Sequence, residues 1–352
     1  MSNAENAVLA TARAMYGKRL RSSDFEHMLS LKNTDEIAAY LRGNTAYSDG
    51  FEGITSGMFT TSALERVINK SMFKKVAKLC KLEYIIGQSF YKYFIIKMEI
   101  EQILRCVSFL LIGEKDSYLL DFCGSIEREM EIDLYKMAQA DSLQQLSEIL
   151  KDTRYARVLD RCINSGEQNY LSFESAFNSY FSKCSVELAH SAGHSRQKKA
   201  IYECISHHSD IHFIELLART LIYYKDSVAV KSVVLPSEMT LLTKKQINGL
   251  LQCKSIEQMD EVLSKTVYRP ITPISSQKDI KGCLNRYLAS YYSKQIRFSS
   301  YPAVIMYSYM CRLKIEGNDV IKIIEGKKYG INPEWLGNCI CCADVGNEKE
   351  GN

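Results

Sequence analysis

The sequence predicts an all-α protein, and three observations carry the prediction. Only five prolines occur in 352 residues, and none precedes Pro236. The residue that breaks helix interiors is therefore missing from two-thirds of the chain. Apolar side chains recur at three- and four-residue spacing, which is the helical period. A nine-residue helix start also occurs three times, over residues 33–41, 142–150 and 255–263.

Each copy opens on a residue that can cap a helix: Asn33, Ser142 or Ser255. Three positions on stands an acid or amide: Glu36, Gln145 or Gln258. That is the capping-box pattern, in which two side chains satisfy each other's backbone donors. Apolar pairs follow at helical spacing: Ile37 and Leu41, Leu146 and Leu150, Met259 and Leu263. Each copy then reaches a tyrosine: Tyr47, Tyr155 or Tyr268. The starts lie 109 residues apart (33 to 142) and 113 apart (142 to 255), and flanking segments repeat with them. Leu20, Phe25, Met28 and Leu29 correspond to Leu242, Ile247, Leu250 and Leu251. Ile96, Glu99, Ile103 and Arg105 correspond to Leu313, Glu316, Val320 and Lys322, with Asp210 in the middle copy. Repeats of this size read as three copies of one helical module. The expected boundaries are 1–120, 121–235 and 236–343, with a polar tail over 344–352.

In chain order, helices are expected over 4–16, 24–31 and 34–41, joined by a basic turn of Lys18, Arg19 and Arg21. The glycine-rich stretch 43–57 reads as a mobile loop. A helix over 62–80 carries a basic face that includes Lys70, Lys74 and Lys75, and a strongly apolar one spans 90–112. The second module continues through 126–137, 142–150, 173–192 and 198–224. The third runs through 243–253, 255–263 and 279–296. It ends in helices over 302–315, 319–325 and 333–342. Pro302 and Pro333 fit first-turn positions, and Asn332 an N-cap.

Charge is balanced, with 45 basic and 41 acidic residues, so no general affinity for nucleic acid or membrane surfaces is implied. The N-terminus is polar, without a signal-like apolar core, and the twelve cysteines are expected to be reduced thiols in a cytoplasmic protein. No apolar run approaches the ~20 residues that cross a bilayer. His190, His194, His207, His208 and His212 cluster in sequence without an HExxH frame. Cys339, Cys341 and Cys342 lack a second half-site. No phosphate-cradling loop and no nucleophile elbow is present. The expectation is a chain without catalytic residues, cofactor or metal. An enzyme using the histidine cluster is a remote alternative.

The segment from Arg13 to Leu29 with the helix after Asn33, the run from Glu99 to Arg105, and the closing set Lys322, Ile324, Gly326, Lys327, Gly330, Pro333 and Glu334 resemble the C subunit of the archaeal and bacterial V/A-type ATP synthase. The eukaryotic relative of that family is subunit d of the vacuolar ATPase. Departures are His212 and Phe213, where the family tends to have an acid and an asparagine, and Gly317 inside a helix. The resemblance implies three similar helical lobes in a pseudo-threefold funnel with a central cavity. It implies a non-catalytic rotor subunit between the central-stalk axle subunits and the membrane proteolipid ring, transmitting torque for H⁺- or Na⁺-coupled ATP synthesis or hydrolysis. The implied location is cytoplasmic and peripheral to the membrane. Interface candidates are Lys18, Arg19 and Arg21, the loops 43–57 and 269–276, and the carboxylates Glu99, Asp210 and Glu316, which either line the cavity or pair within their helices. A helical scaffold or adaptor unrelated to rotary ATPases is the alternative.

Overall fold

Short polar side chains set the helix starts. The computed structural model describes residues 3–54, 59–85, 87–113, 130–165, 169–223 and 239–342. In it Asn33, Ser142 and Ser255 each accept a bond from the amide three residues on, at Glu36, Gln145 and Gln258. The return bond differs from the expected box. Glu36, Gln145 and Gln258 reach one residue further back, to the amides of Lys32, Asp141 and Lys254 at 2.8, 2.7 and 2.9 Å. At each start the pair satisfies one of the helix's orphan donors, at the third helical residue, and the amide that precedes the cap.

No strand occurs among the described residues. The helices are α1 (Asn3–Gly17), α2 (Ser22–Ser30), α3 (Thr34–Asn44), α4 (Thr61–Ile85), α5 (Lys92–Ile112), α6 (Leu134–Ala138), α7 (Leu143–Leu150), α8 (Ala156–Asn164), α9 (Tyr170–Ser191), α10 (Ser195–Tyr223), α11 (Lys244–Leu251), α12 (Ile256–Leu263), α13 (Ile280–Phe298), α14 (Pro302–Lys328) and α15 (Pro333–Cys339), with 3₁₀ turns at Ser48–Phe51 and Arg269–Ile271. One order of elements recurs. Two short helices lead to a 3₁₀ turn, or in the second copy the short helix α8, that begins after a tyrosine, and two long helices follow: α2 to α5, α6 to α10, and α11 to α14. In each copy the apolar pair of the second short helix is fully buried. Each such side chain contributes about 1.5–3 kcal/mol relative to an exposed one.

The chain divides into two compact units. One comprises Met1–Lys75 with Ser195–Asn352, and the other Val76–His194. The core of the second unit gathers Ile103 and Val107 of α5, Leu146 and Leu150 of α7, Leu159 of α8, and Phe173 and Phe177 of α9. In the first unit α14 is the central rod, packed against α1, α10, α13 and α15. The second half of α1 is also tied to the third repeat. Arg13 donates to the carbonyls of Ile296, Arg297 and Ser299 at 3.0, 3.2 and 2.7 Å, capping the end of α13.

Two sequence expectations are corrected. α14 runs unbroken through Gly317, because that glycine marks a close approach and not a stop. A Cβ there would stand 2.3 Å from Met72 Sδ on α4. The segment after α3 is not a loose loop, since Tyr47, Gly50 and Phe51 are buried in a 3₁₀ turn. The Gly57 end of that stretch lies outside the described residues, as do Pro236 and the tail. The closing set of residues makes packing and capping contacts. Lys327 Nζ donates to Leu29 O at 2.6 Å, Gly326 admits Leu336, Gly330 has φ +65°, and Asn332 caps α15 through the amides of Glu334 and Trp335.

Gly50 and Gly43 make a matched test. A Cβ at Gly50 would lie 2.3 Å from the Val67 carbonyl oxygen, which is backbone and cannot turn away, whereas Gly43 has open space around it. Gly50→Ala is expected to lower unfolding free energy by ~1–3 kcal/mol through overpacking. Gly43→Ala, inside α3, is expected to raise it by ~0.5–1 kcal/mol. Urea denaturation of the two variants measures both signs.

Candidate functional site

The repeated tyrosines are placed by a repeated backbone device. Two residues before each stands a threonine: Thr45, Thr153 or Thr266. Its hydroxyl donates to the last apolar residue of the preceding helix, at Leu41 O, Leu150 O and Leu263 O over 2.7, 2.7 and 2.8 Å. The same oxygen accepts from the tyrosine amide, at 3.2, 3.3 and 3.0 Å. Such side-chain to backbone bonds fix a turn without regular secondary structure. Each ring is thereby driven inward, and all three tyrosines are fully buried.

Each tyrosine hydroxyl meets a carboxylate from the preceding repeat. Tyr155 donates to Glu99 of α5. Tyr268 donates to Asp210 of α10 at 2.7 Å, and Tyr47 to Glu316 of α14 at 3.1 Å. The carboxylates are 1%, 0% and 3% exposed. A backbone N–H joins two of them, from Glu131 to Glu99 and from Leu241 to Asp210 at 2.8 Å. In terms of repeats the bonds run from the first to the second, from the second to the third, and from the third back to the first. The order closes on itself. Thr240 adds a bond to Asp210 at 2.5 Å, and Arg312 adds one to Glu316 at 3.5 Å.

Burial pushes the pKa of all three carboxylates upward, opposed by the bonds they accept. The tyrosines are also pushed up, by burial first and then by the carboxylate they face. A buried acceptor without donors would cost several kcal/mol. Hydroxyl and amide together supply the charge-assisted bonds that make burial tolerable. The arrangement has no nucleophile–base pair and no open cleft. Chemically it fastens one repeat to the next.

Of the sequence-selected residues, Glu99, Asp210 and Glu316 therefore fall at equivalent fastening points. The basic turn is different. Lys18 and Arg21 are exposed, and half-buried Arg19 lies over the Tyr16 ring, 4.4 Å from its centroid. In the 269–276 loop Arg269 and Pro270 are exposed, but Ile271 and Ile274 are buried and Asp260 binds the amides of Ile274 and Ser275. His190, His194 and His212 are exposed. His207 is packed by Tyr268, Tyr287 and Tyr291, and burial lowers its pKa to about 4. His208 meets the Tyr292 hydroxyl at 3.0 Å. The amides of Cys341 and Cys342 donate to Asp319 at 2.9 Å each. Among the described residues no group of three or more His, Cys, Asp and Glu is arranged to hold a metal.

The sequence reading picked out both halves of each fastening, tyrosine and carboxylate, without joining them. The available signal was the Thr-x-Tyr triplet, repeated in register with the carboxylates.

A family model described as the ATP synthase (C/AC39) subunit matches residues 8–338. The chain belongs to that family. The C/AC39 subunit is a non-catalytic member of the V/A-type ATP synthase complex. No curated protein matches the chain. The matched span takes in all three tyrosine–carboxylate pairs and, in this C/AC39 subunit, no helix among the described residues is long and apolar enough to cross a membrane.

Replacing Tyr47, Tyr155 or Tyr268 by Phe strands a buried carboxylate oxygen, and each change is expected to cost ~1–3 kcal/mol. The same phenols give a pH signature. An unfolded tyrosine ionises near pH 10, whereas the buried ones hold their protons above that. The folded state then binds more protons than the unfolded one, so stability is complete below about pH 10 and falls as pH rises beyond it. Denaturation between pH 8 and 11 is expected to show a shallower fall in each Phe variant than in the parent.

Proposed function

We propose that this chain is a rotor subunit of a V/A-type rotary ATP synthase that joins the soluble central stalk to the membrane proteolipid ring. It transmits torque and thereby couples ATP synthesis or hydrolysis to transport of H⁺ or Na⁺. The observation that carries this reading is the family match across residues 8–338. Three buried fastenings between repeats support it physically. A transmitting element must not yield at the joints between its parts, and a hydrogen-bonded carboxylate in a dry interior resists opening, since parting would leave a buried group unpaired.

In this reading the three repeats are lobes around a hollow that receives the axle, and the protein is cytoplasmic and peripheral to the membrane. Exposed Lys18 and Arg21, with half-buried Arg19 beside them, are the contacts that steer assembly, because cations at an interface rim act chiefly on association and register. Glu99, Asp210 and Glu316 act on that interface indirectly, by holding the lobes that present it.

Reconstitution tests the proposal. Complexes assembled without this chain are expected to retain ATP hydrolysis by the head and to lose ATP-driven ion uptake into vesicles. Adding the chain back restores uptake, and full coupling in its absence would sink the reading. A Lys18→Glu/Arg21→Glu double variant is expected to slow assembly onto the stalk at least several-fold at low ionic strength, with the difference shrinking as salt is raised. Stopped-flow association measured in low and high salt reads both effects.

A further inference from the structure

Glu83 stands in the last turn of α4 and is enclosed as fully as the fastening carboxylates, at 1% exposed. It is held differently. Glu99, Asp210 and Glu316 each take a tyrosine hydroxyl, whereas Glu83 Oε2 has no hydrogen-bond partner among the described residues. A buried, ionised carboxylate with an oxygen that no donor meets is costly. An anion in the final turn of a helix also faces its negative end. Both effects favour the neutral acid, and burial pushes the Glu83 pKa up to about 8, opposed by the Tyr91 amide. The titratable groups that flank it are the phenols of Tyr84 and Tyr91, whose rings meet edge to face across the turn with centroids 5.8 Å apart, and the exposed Lys81 and Lys92. Among the described residues no ionised group contributes to the shift.

The backbone around Glu83 is of the kind that opens locally. In the stretch 81–85 Glu83 alone is buried, while Tyr84 is 59% and Ile85 66% exposed. The chain then turns through exposed Gly87, at φ +75°. The Gly87 amide donates to Tyr84 O at 3.0 Å, and the Gln88 amide to Glu83 O at 3.1 Å. Segments with few buried side chains and exposed backbone bonds open at a fraction of the global unfolding free energy. Unwinding this last turn of α4 takes Glu83 to water and gives up little apolar burial.

We propose that the α4–α5 turn is a proton-controlled latch, closed while Glu83 sits inside as the neutral acid and opened with release of that one proton to water. Closed, the carboxyl keeps its proton up to about pH 8. Open, it ionises in the ordinary range, near ~4.3. The open turn therefore binds fewer protons between those two values. Opening grows with pH across that window, by at most about tenfold per unit, and levels off above it. The latch stands on this turn alone and does not depend on the rotor reading.

Hydrogen exchange of the full chain, followed by mass spectrometry and corrected for the intrinsic pH dependence of amide exchange, tests this. Peptides covering residues 81–92 are expected to lose protection by up to about tenfold per pH unit between about pH 5 and 8, and little more above. Glu83→Gln, a neutral side chain of the same shape, is expected to hold protection constant over that range. Peptides from α14 are expected to behave alike in both proteins. Protection over 81–92 that is independent of pH in the parent, or that falls equally in Glu83→Gln, overturns the proposal. A fall shared by α14 marks global unfolding and overturns it as well. Should Glu83→Gln fail to fold, the parent decides alone: a loss confined to 81–92 that saturates near pH 8 upholds the latch, and any other profile ends it.

Discussion

One interaction recurs at every joint between repeats: a tyrosine hydroxyl given to a buried carboxylate of the preceding copy. Its energetics are asymmetric. Made, such a bond adds little net stability, because the unfolded chain offers both partners to water. Broken inside the protein, it leaves a group that neither water nor protein satisfies. The interaction therefore says less about how stable the fold is than about how hard it is to separate one repeat from the next. The threonine two residues before each tyrosine, the tyrosine amide and the capped helix ahead of them all serve to bring one hydroxyl to one place.

The three joints share a plan and differ in surroundings. At Tyr155 and Tyr268 aromatic rings cover the phenol. At the first of these Glu131 adds a pair with Arg154, beside the tyrosine itself. At Tyr47 the covering group is an ammonium, and a guanidinium stands one helical turn before the carboxylate. Charge in a buried place costs free energy unless compensated, so a departure of this kind marks a place where something other than stability has been favoured.

Much of the architecture was legible in the sequence, because helix starts are local. Asn33, Ser142, Ser255 and Asn332 cap the helices their positions predicted, and Pro302 and Pro333 occupy first turns. The joints were not legible. Periodicity tells which face of a helix is buried but not what lies opposite, and the partners are 56, 58 and 269 residues apart. The close approach at Gly317 was hidden for a related reason. A glycine that ends a helix and one that lets another helix approach look alike until Met72 is seen beside it. Lys75 read as one lysine of a solvated face, and only the fold shows it turned inward over Tyr47. The return bonds to Lys32, Asp141 and Lys254 lay within one residue of expectation, a shift that pattern alone does not resolve.

Arg13, early in the chain, caps the far end of α13, and Lys327, near its close, caps α2. Beginning and end are thus cross-braced, each finishing a helix that the other end of the polypeptide built. Where the backbone is open is then a matter of covalent history more than of architecture. Neither brace depends on where the backbone is open, only on both of the segments it joins being present. Shortening the chain at either end by contrast removes a cap from a helix nearly three hundred residues away.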